Sequence, residues 1–213
     1  LKENQAPLPS KVAALLRESR LFILVAAALY LSLVLTTFNR ADPGWSHGVG
    51  AGDIRNLGGR VGAWIADIML YLFGVSAWWW VALLIYAIAW GYRRIDGSSI
   101  SDRRSFAIAA SGFAVLLAAS SSLEALRLYT LKASLPYVPG GMLGTLAGKA
   151  LAATFGFTGA TLILLTLCAV GLSLFTGLSW FVVMEGVGAV LEWLYGWTVQ
   201  KWQGWQDWKA GEL

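Results

Sequence analysis

The sequence predicts an all-α integral membrane protein, with four transmembrane helices and an interfacial amphipathic helix at the C-terminus. Three observations predict it. The 213 residues are 57% hydrophobic but only 13% charged, whereas soluble domains carry about 25% charged residues. Apolar runs long enough to cross a bilayer recur four times between short clusters of arginine. Twelve tryptophans are present, and indole rings favour the boundary between headgroups and acyl chains.

The net charge of +4 and pI near 9.3 do not point to nucleic acid. The cations flank apolar runs, as in membrane proteins, and no lysine-rich arm occurs. The single Cys168 sits inside an apolar run and forms no disulfide framework within one chain. No small-residue cleavage pattern follows the first apolar run, so that run is expected to remain as an anchor.

Residues 1–20 read as an N-terminal lead-in. Ser10 is placed to cap a short helix with Val12, Leu15, Leu16 and Ser19 on one face and Lys11, Arg17 and Arg20 around it. The first span, 21–38, carries no charge; at 1.5 Å per residue it covers about 27 Å, close to the roughly 30 Å hydrocarbon core. Residues 39–67 read as a turn-rich loop, because Asp42, Pro43 and Gly44 are turn chemistry and several glycines follow. The second span is expected over 68–90, with Asp67 at its entrance and Trp78, Trp79 and Trp80 near its middle. Three consecutive rings face three directions, so one is expected against lipid and one against a neighbouring helix.

Residues 91–105 form a short arginine-containing loop. The third span, 106–123, is rich in Ala and Ser, and small residues let backbones approach, so it is expected to be the most tightly packed. The second long connection, 124–156, opens with Glu124 and Arg127 at a spacing that allows pairing. It then places Gly140, Gly144, Gly148, Ala152, Gly156 and Ala160 on one smooth stripe. The fourth span is 157–175. In the remaining segment, 176–213, Leu191, Leu194, Thr198, Trp202 and Trp205 recur at helical intervals. Glu185 and Glu192 argue against another crossing, so a helix lying in the interface plane is expected.

Orientation follows the densest cations of short segments. Arg17 and Arg20, with Lys2 and Lys11, precede the first span; Arg93, Arg94, Arg103 and Arg104 follow the second. Four crossings put both clusters on one face, so both termini are expected in the cytoplasm and both long loops in a periplasm-like space.

Catalytic motifs are not evident. Gly148, Lys149 and Ala150 lack the upstream Gly and the following Ser or Thr of a phosphate loop. His47 is the sole histidine, and no carboxylate falls inside the four expected spans. No catalytic, nucleotide-binding or metal site, and no cofactor, is therefore expected in this segment. What remains is packing surface. Gly58 and Gly62 form one GxxxG pair, and Gly140, Gly144 and Gly148 a second stripe; each is a candidate for contacts within the bundle or between subunits.

The run 38–46, FNRADPGWS, then NLGG at 56–59, GAWIAD at 62–67 and LFG at 72–74 resemble the N-terminal membrane domain of the FtsK/SpoIIIE DNA translocases. GLSLFTGLSW at 171–180 resembles that domain's fourth span and exit. The resemblance runs from about 19 to 185. It implies a four-span anchor joined by a low-complexity linker to a cytoplasmic hexameric ATPase that moves double-stranded DNA. It further implies ATP and magnesium for that motor, a homo-oligomer, division-site membrane proteins as partners, and a place in the bacterial inner membrane at the division septum. No Walker motif occurs in the 213 residues, so no catalytic residue carries over, and the Trp-rich tail from Trp193 to Trp208 departs from the resemblance. A small polytopic transporter or channel subunit is the alternative reading, and a scaffold unrelated to DNA a further one.

Overall fold

A computed structural model describes residues 10–46, 53–93, 103–128 and 135–211. The described residues form helices and turns, with no strand among them. Six α-helices follow in order: α1 (Ser10–Thr36), α2 (Gly59–Phe73), α3 (Trp78–Arg93), α4 (Arg103–Arg127), α5 (Gly141–Thr176) and α6 (Trp180–Gly211). A 3₁₀ turn, Gly74–Ala77, joins α2 to α3. Four stretches are long and apolar enough to span a membrane: Glu18–Thr36, Gly59–Gly91, Phe106–Arg127 and Gly141–Thr176.

The expected lead-in and first span are one helix, because nothing between Ser10 and Thr36 interrupts the backbone pattern. Near its end the hydroxyls of Ser32, Thr36 and Thr37 donate to carbonyls one turn back, at 2.7–2.9 Å. Such bonds satisfy hydroxyls that apolar surroundings leave without water.

Two segments read from the sequence as loop are helical. Residues 59–67, assigned to the loop 39–67, are the first turns of α2. Gly62, Ala63, Ala66, Asp67 and Leu70 all turn inward on it, a 3.6-residue pattern that two glycines and an aspartate obscure in the sequence. Asp67 is therefore not at a helix entrance but inside α2, and it is fully buried. Residues 141–155, assigned to the loop 124–156, form the first arm of α5. Gly156, at φ 69° and ψ 170°, breaks that helix, and the second arm coincides with the expected span from 157.

The helices assemble as two pairs bridged by α2. One core lies between α1, α2 and α3, around Val34, Leu35, Ala66, Leu70, Ala77 and Val81. The other lies between α3, α4 and α5, around Phe113, Leu116, Leu117 and Phe175. Phe73, at the end of α2, packs against both. Of the three adjacent tryptophans, Trp78 is exposed, whereas Trp79 and Trp80 pack against the second core. That is the division expected when consecutive rings point different ways around one helix.

The second arm of α5 runs antiparallel to α4, and the first packs across the last turns of α4. Gly144 faces the Ser121 backbone and Gly148 the Ser122 carbonyl, while Gly171 faces Leu116 and Gly112 faces Leu174 and Phe175. Small residues at these points set the interhelical distance. A Cβ at Gly144 would overlap the Ser121 main chain, and main chain cannot swing aside as a side chain can. Gly144→Val is expected to lower stability by about 3 kcal/mol through overpacking. The shift in unfolding midpoint in maltoside micelles measures it; an unchanged midpoint would show that α4 and α5 separate without cost.

α5 closes at Gly177, which adopts the left-handed conformation while its amide donates to Ser173 O at 2.8 Å. α6 then leaves the bundle. Its first ring is tethered by a bond from Trp180 Nε1 to Ala169 O of 3.1 Å. Phe181, Met184, Leu191, Trp193, Leu194, Trp202 and Trp205 are all exposed along it.

Candidate functional site: the clasped end of the bundle

Three carboxylates organise the end of the bundle where α1 stops, α2 crosses and α4 stops. Asp42 belongs to the turn after α1. Its Oδ1 and Oδ2 accept the amides of Arg55 and Asn56, each at 2.8 Å. Asn56 in turn donates from Nδ2 to the Val34 carbonyl at 2.9 Å, and its Oδ1 accepts the Gly58 amide at 2.9 Å. The Tyr30 hydroxyl donates to Gly58 O at 3.2 Å. The loop is thereby tied to the last turns of α1, and Asp42 and Asn56 are both buried.

Asp67 forms the second tie. Its two oxygens accept the amide and the hydroxyl of Ser46, at 2.6 and 2.9 Å. A buried carboxylate in an apolar helix is costly unless it is bonded in this way.

The third tie joins the two helix pairs. Glu124 accepts the Ser76 amide at 3.0 Å on Oε2 and the Ser76 hydroxyl at 2.7 Å on Oε1. Ser120 Oγ lies 2.7 Å from the same hydroxyl. Beside it the Val75 amide donates to Pro139 O at 2.7 Å. The spacing that allows Glu124 to pair with Arg127 is not used: the Glu124 oxygens bond Ser76. Arg127 instead donates from Nε to Thr161 Oγ1 at 3.2 Å and stacks over the Phe157 ring at 4.4 Å. Glu124 and Asp67 both lie within stretches long and apolar enough to cross a membrane. This corrects the expectation that such stretches carry no carboxylate.

Over this polar scaffold the rings of Trp45, Tyr71 and Tyr137 pack in sequence, the first pair edge to face and the second tilted, with centroids 5.4 and 5.3 Å apart. Trp45 and Tyr137 are about half exposed.

The predicted glycines take defined places. Gly58 and Gly62 face Val34 and Asn56, where a Cβ at Gly62 would lie 2.7 Å from each. Gly140, Gly144 and Gly148 face α4. Both stripes are thus occupied inside this chain. Gly91 of α3 meets Leu21, the neighbour of the exposed Arg20, and Trp90 stacks on Phe106. Arg93 ends α3, Arg103 and Arg104 open α4, and Arg17 lies on α1. Arg94 and His47 lie outside the described residues. Among the described residues no three His, Cys, Asp or Glu side chains gather as a metal site.

The sequence profile of the 4TM region of DNA translocase FtsK/SpoIIIE matches residues 13–188. The chain belongs to this family. It is 44% identical to DNA translocase FtsK 2 of Ralstonia nicotianae over 199 residues, 91% of this chain and 26% of that protein. It is 38% identical to DNA translocase FtsK of Shewanella oneidensis, over 84% of this chain and 19% of that protein. With DNA translocase FtsK 1 of Neisseria meningitidis serogroup B the identity is 34%, over 89% and 24%. The chain thus spans about a fifth to a quarter of the length of these relatives. No solved structure matches it.

The runs that resemble the FtsK/SpoIIIE membrane domain, 38–46 and 56–67, are those that build the first two ties. Reasoning from sequence read them only as turn and loop. The signal for a clasp was present in Asp42 and Asn56, two short acceptors among glycines, but their partners are chosen by the fold. The Ser76–Glu124 tie had one signal only, Gly74 interrupting an apolar run.

Asp42→Ala would leave the buried amide of Asn56, and that of Arg55 beside it, without acceptors. It is expected to cost about 3 kcal/mol, and faster proteolysis between residues 39 and 58 in micelles reads the loosened loop. Cleavage at the wild-type rate would rule out Asp42 as the anchor of that loop.

Proposed function

We propose that this chain is the membrane anchor of a septal DNA translocase in the bacterial inner membrane, coordinating cell division with chromosome segregation. In this reading both termini lie in the cytoplasm, and a hexameric ATP-driven pump continues from the C-terminal side. That pump handles double-stranded DNA using ATP and magnesium, while the anchor offers surfaces to division proteins. The observation that carries the reading is the family match over 13–188, coupled to a fold in which four stretches can span the bilayer. The anchor raises the local concentration of motor subunits without strong contacts of its own. α6, exposed and rich in Trp, suits the interface plane between the bilayer and the motor. The clasped end, with Trp45, Tyr71 and Tyr137, is the surface best suited to division-site partners outside the cytoplasm.

Expressed alone with a fluorescent tag, the chain is expected to gather at midcell. Uniform fluorescence around the envelope would refute the septal reading. A reporter active only outside the cytoplasm is expected to give signal when fused at Gly50 and none at Ser98; the reverse pattern overturns the orientation. A transporter reading predicts solute flux in liposomes. Against it stand the hydrogen bonds at Asp67 and Glu124, which commit both carboxylates to the fold.

A further inference from the structure

Two of the four membrane-length stretches are longer than a crossing needs. Gly59–Gly91 and Gly141–Thr176 hold 33 and 36 residues, and each breaks at a glycine of positive φ, Gly74 and Gly156. Beyond the breaks, residues 157–176 rise about 29 Å, and the 3₁₀ turn with α3 rises about 30 Å. Each is enough for a hydrocarbon core of about 30 Å. α2 and the first arm of α5, residues 141–155, are therefore surplus to the four crossings.

Both surplus helices stay at the clasped end. α2 is about 21 Å long, yet Gly58 and Gly62 at its start meet Val34, and the carbonyl of Phe73 at its end accepts the Ser121 hydroxyl at 3.4 Å. Val34 and Ser121 lie in the last two turns of α1 and α4. The first arm of α5 is as long, but Gly144 near its start faces Ser121, and Phe157 just past its end lies under the Arg127 guanidinium. Between Ser121 and Arg127 α4 rises only about 9 Å. Each surplus helix thus lies across the crossing helices and not along them.

Their outward faces are apolar. Val61 and Trp64 are exposed on α2, and Met142 and Leu146 on the arm; Phe155 and Phe157 carry the exposed surface past Gly156 to the crossing part of α5. One exposed cation stands on each helix, Arg60 and Lys149. Lys149 falls in the middle of its arm, where a crossing would sink it in hydrocarbon at a cost of about 2.5–3.5 kcal/mol. At the boundary its stem covers apolar surface while the ammonium stays among headgroups. We propose that α2 and the first arm of α5 are interfacial helices, sunk in the leaflet at the clasped end with Val61, Trp64, Met142 and Leu146 toward the acyl chains. A second copy of the chain on these faces would draw Arg60 and Lys149 out of water, which lipid does not. The assignment rests on the membrane-spanning fold and needs neither a motor nor a septal position.

The test places single nitroxide labels on the whole chain in vesicles of phosphatidylethanolamine and phosphatidylglycerol. In a Cys168→Ala background, Val61→Cys and Ile68→Cys report on α2, and Met142→Cys and Ala153→Cys on the arm. Leu162→Cys and Val170→Cys serve as the crossing control. Relative collision with oxygen and with a water-soluble nickel complex reads the depth of each label. The control pair is expected to differ by about 12 Å. The members of each other pair are expected at equal depth, within about 5–10 Å of the headgroup boundary. Helices standing along the membrane normal would instead separate them by about 10 and 16 Å. Such a gradient, labels as open to nickel as in free solution, or spin–spin broadening between copies with oxygen excluded would each overturn the proposal. A control pair at equal depth would remove the membrane-spanning fold on which it rests.

Discussion

Gly74→Ala is expected to destabilise the protein by about 4 kcal/mol. Two costs combine. Gly74 sits at φ 61° and ψ −139°, a region from which a side chain is nearly excluded, at about 1–3 kcal/mol. A Cβ there would also run into the Pro139 carbonyl. That carbonyl accepts the Val75 amide at 2.7 Å, so moving it breaks the bond that seats the 3₁₀ turn against the start of α5. Overpacking of this kind adds about 1–3 kcal/mol. Gly59→Ala is the control, since Gly59 has φ 66° but nothing within 4 Å of the added atom. It should show the backbone cost alone, about 1–2 kcal/mol. Unfolding titrations with a denaturing detergent measure both, and equal losses for the two variants would remove the collision with Pro139 from the account.

The second large effect concerns Ser76 and Glu124. Ser76→Ala deletes the hydroxyl between Glu124 and Ser120 and leaves one carboxylate oxygen without that donor. Hydrogen bonds to charged groups contribute about 1.5–3 kcal/mol, and a carboxylate deprived of a donor in partly buried surroundings loses more than the bond itself. A loss of about 3 kcal/mol is expected. Glu124→Leu is expected to cost a similar amount, because it removes the charge but leaves the Ser76 amide without its acceptor. The combined variant should then be less destabilised than the sum of the two, by about 1–2 kcal/mol. Strict additivity would mean that Ser76 does not hold Glu124 in solution.

How far the sequence could be read follows from how local each feature is. Spans one, three and four are legible as long uncharged runs, because a lipid-facing helix needs nothing more, although the fourth lies inside a longer apolar helix, Gly141–Thr176. Where the run contained a break, the reading faltered. Gly59–Gly91 is 33 residues long, about 50 Å at 1.5 Å per residue, too long for one straight crossing. Gly74 divides it, yet an isolated Gly within an apolar run does not announce a change of direction. The same holds at Gly156, where a helix of 36 residues folds back along α4. The helical turns at 59–67 and 141–155 were missed because glycine and aspartate there serve close packing and buried bonding, and out of context they read as turn formers.

The candidate sites divide in the same way. A glycine stripe announces close approach but not its partner. Gly140, Gly144 and Gly148 are consumed by Ser121, Ser122 and Ala125 of the same chain, and Gly58 and Gly62 by Val34 and Asn56. The carboxylate ties were out of reach for a related reason. Ser46 and Asp67 are 21 residues apart, and Ser76 and Glu124 are 48. No periodicity connects residues at such separations.

Hydropathy is a sum over neighbouring residues, and so the chain on its own determined that it lives in lipid and that it is helical. The family resemblance was equally local, carried by short runs in order. Tertiary structure alone decided which carboxylates are buried and bonded, where α2 and α5 turn, and which surfaces stay free. Those outcomes depend on backbone atoms from distant segments meeting at van der Waals distance. A missing Cβ or a serine hydroxyl acquires its role only when that meeting occurs.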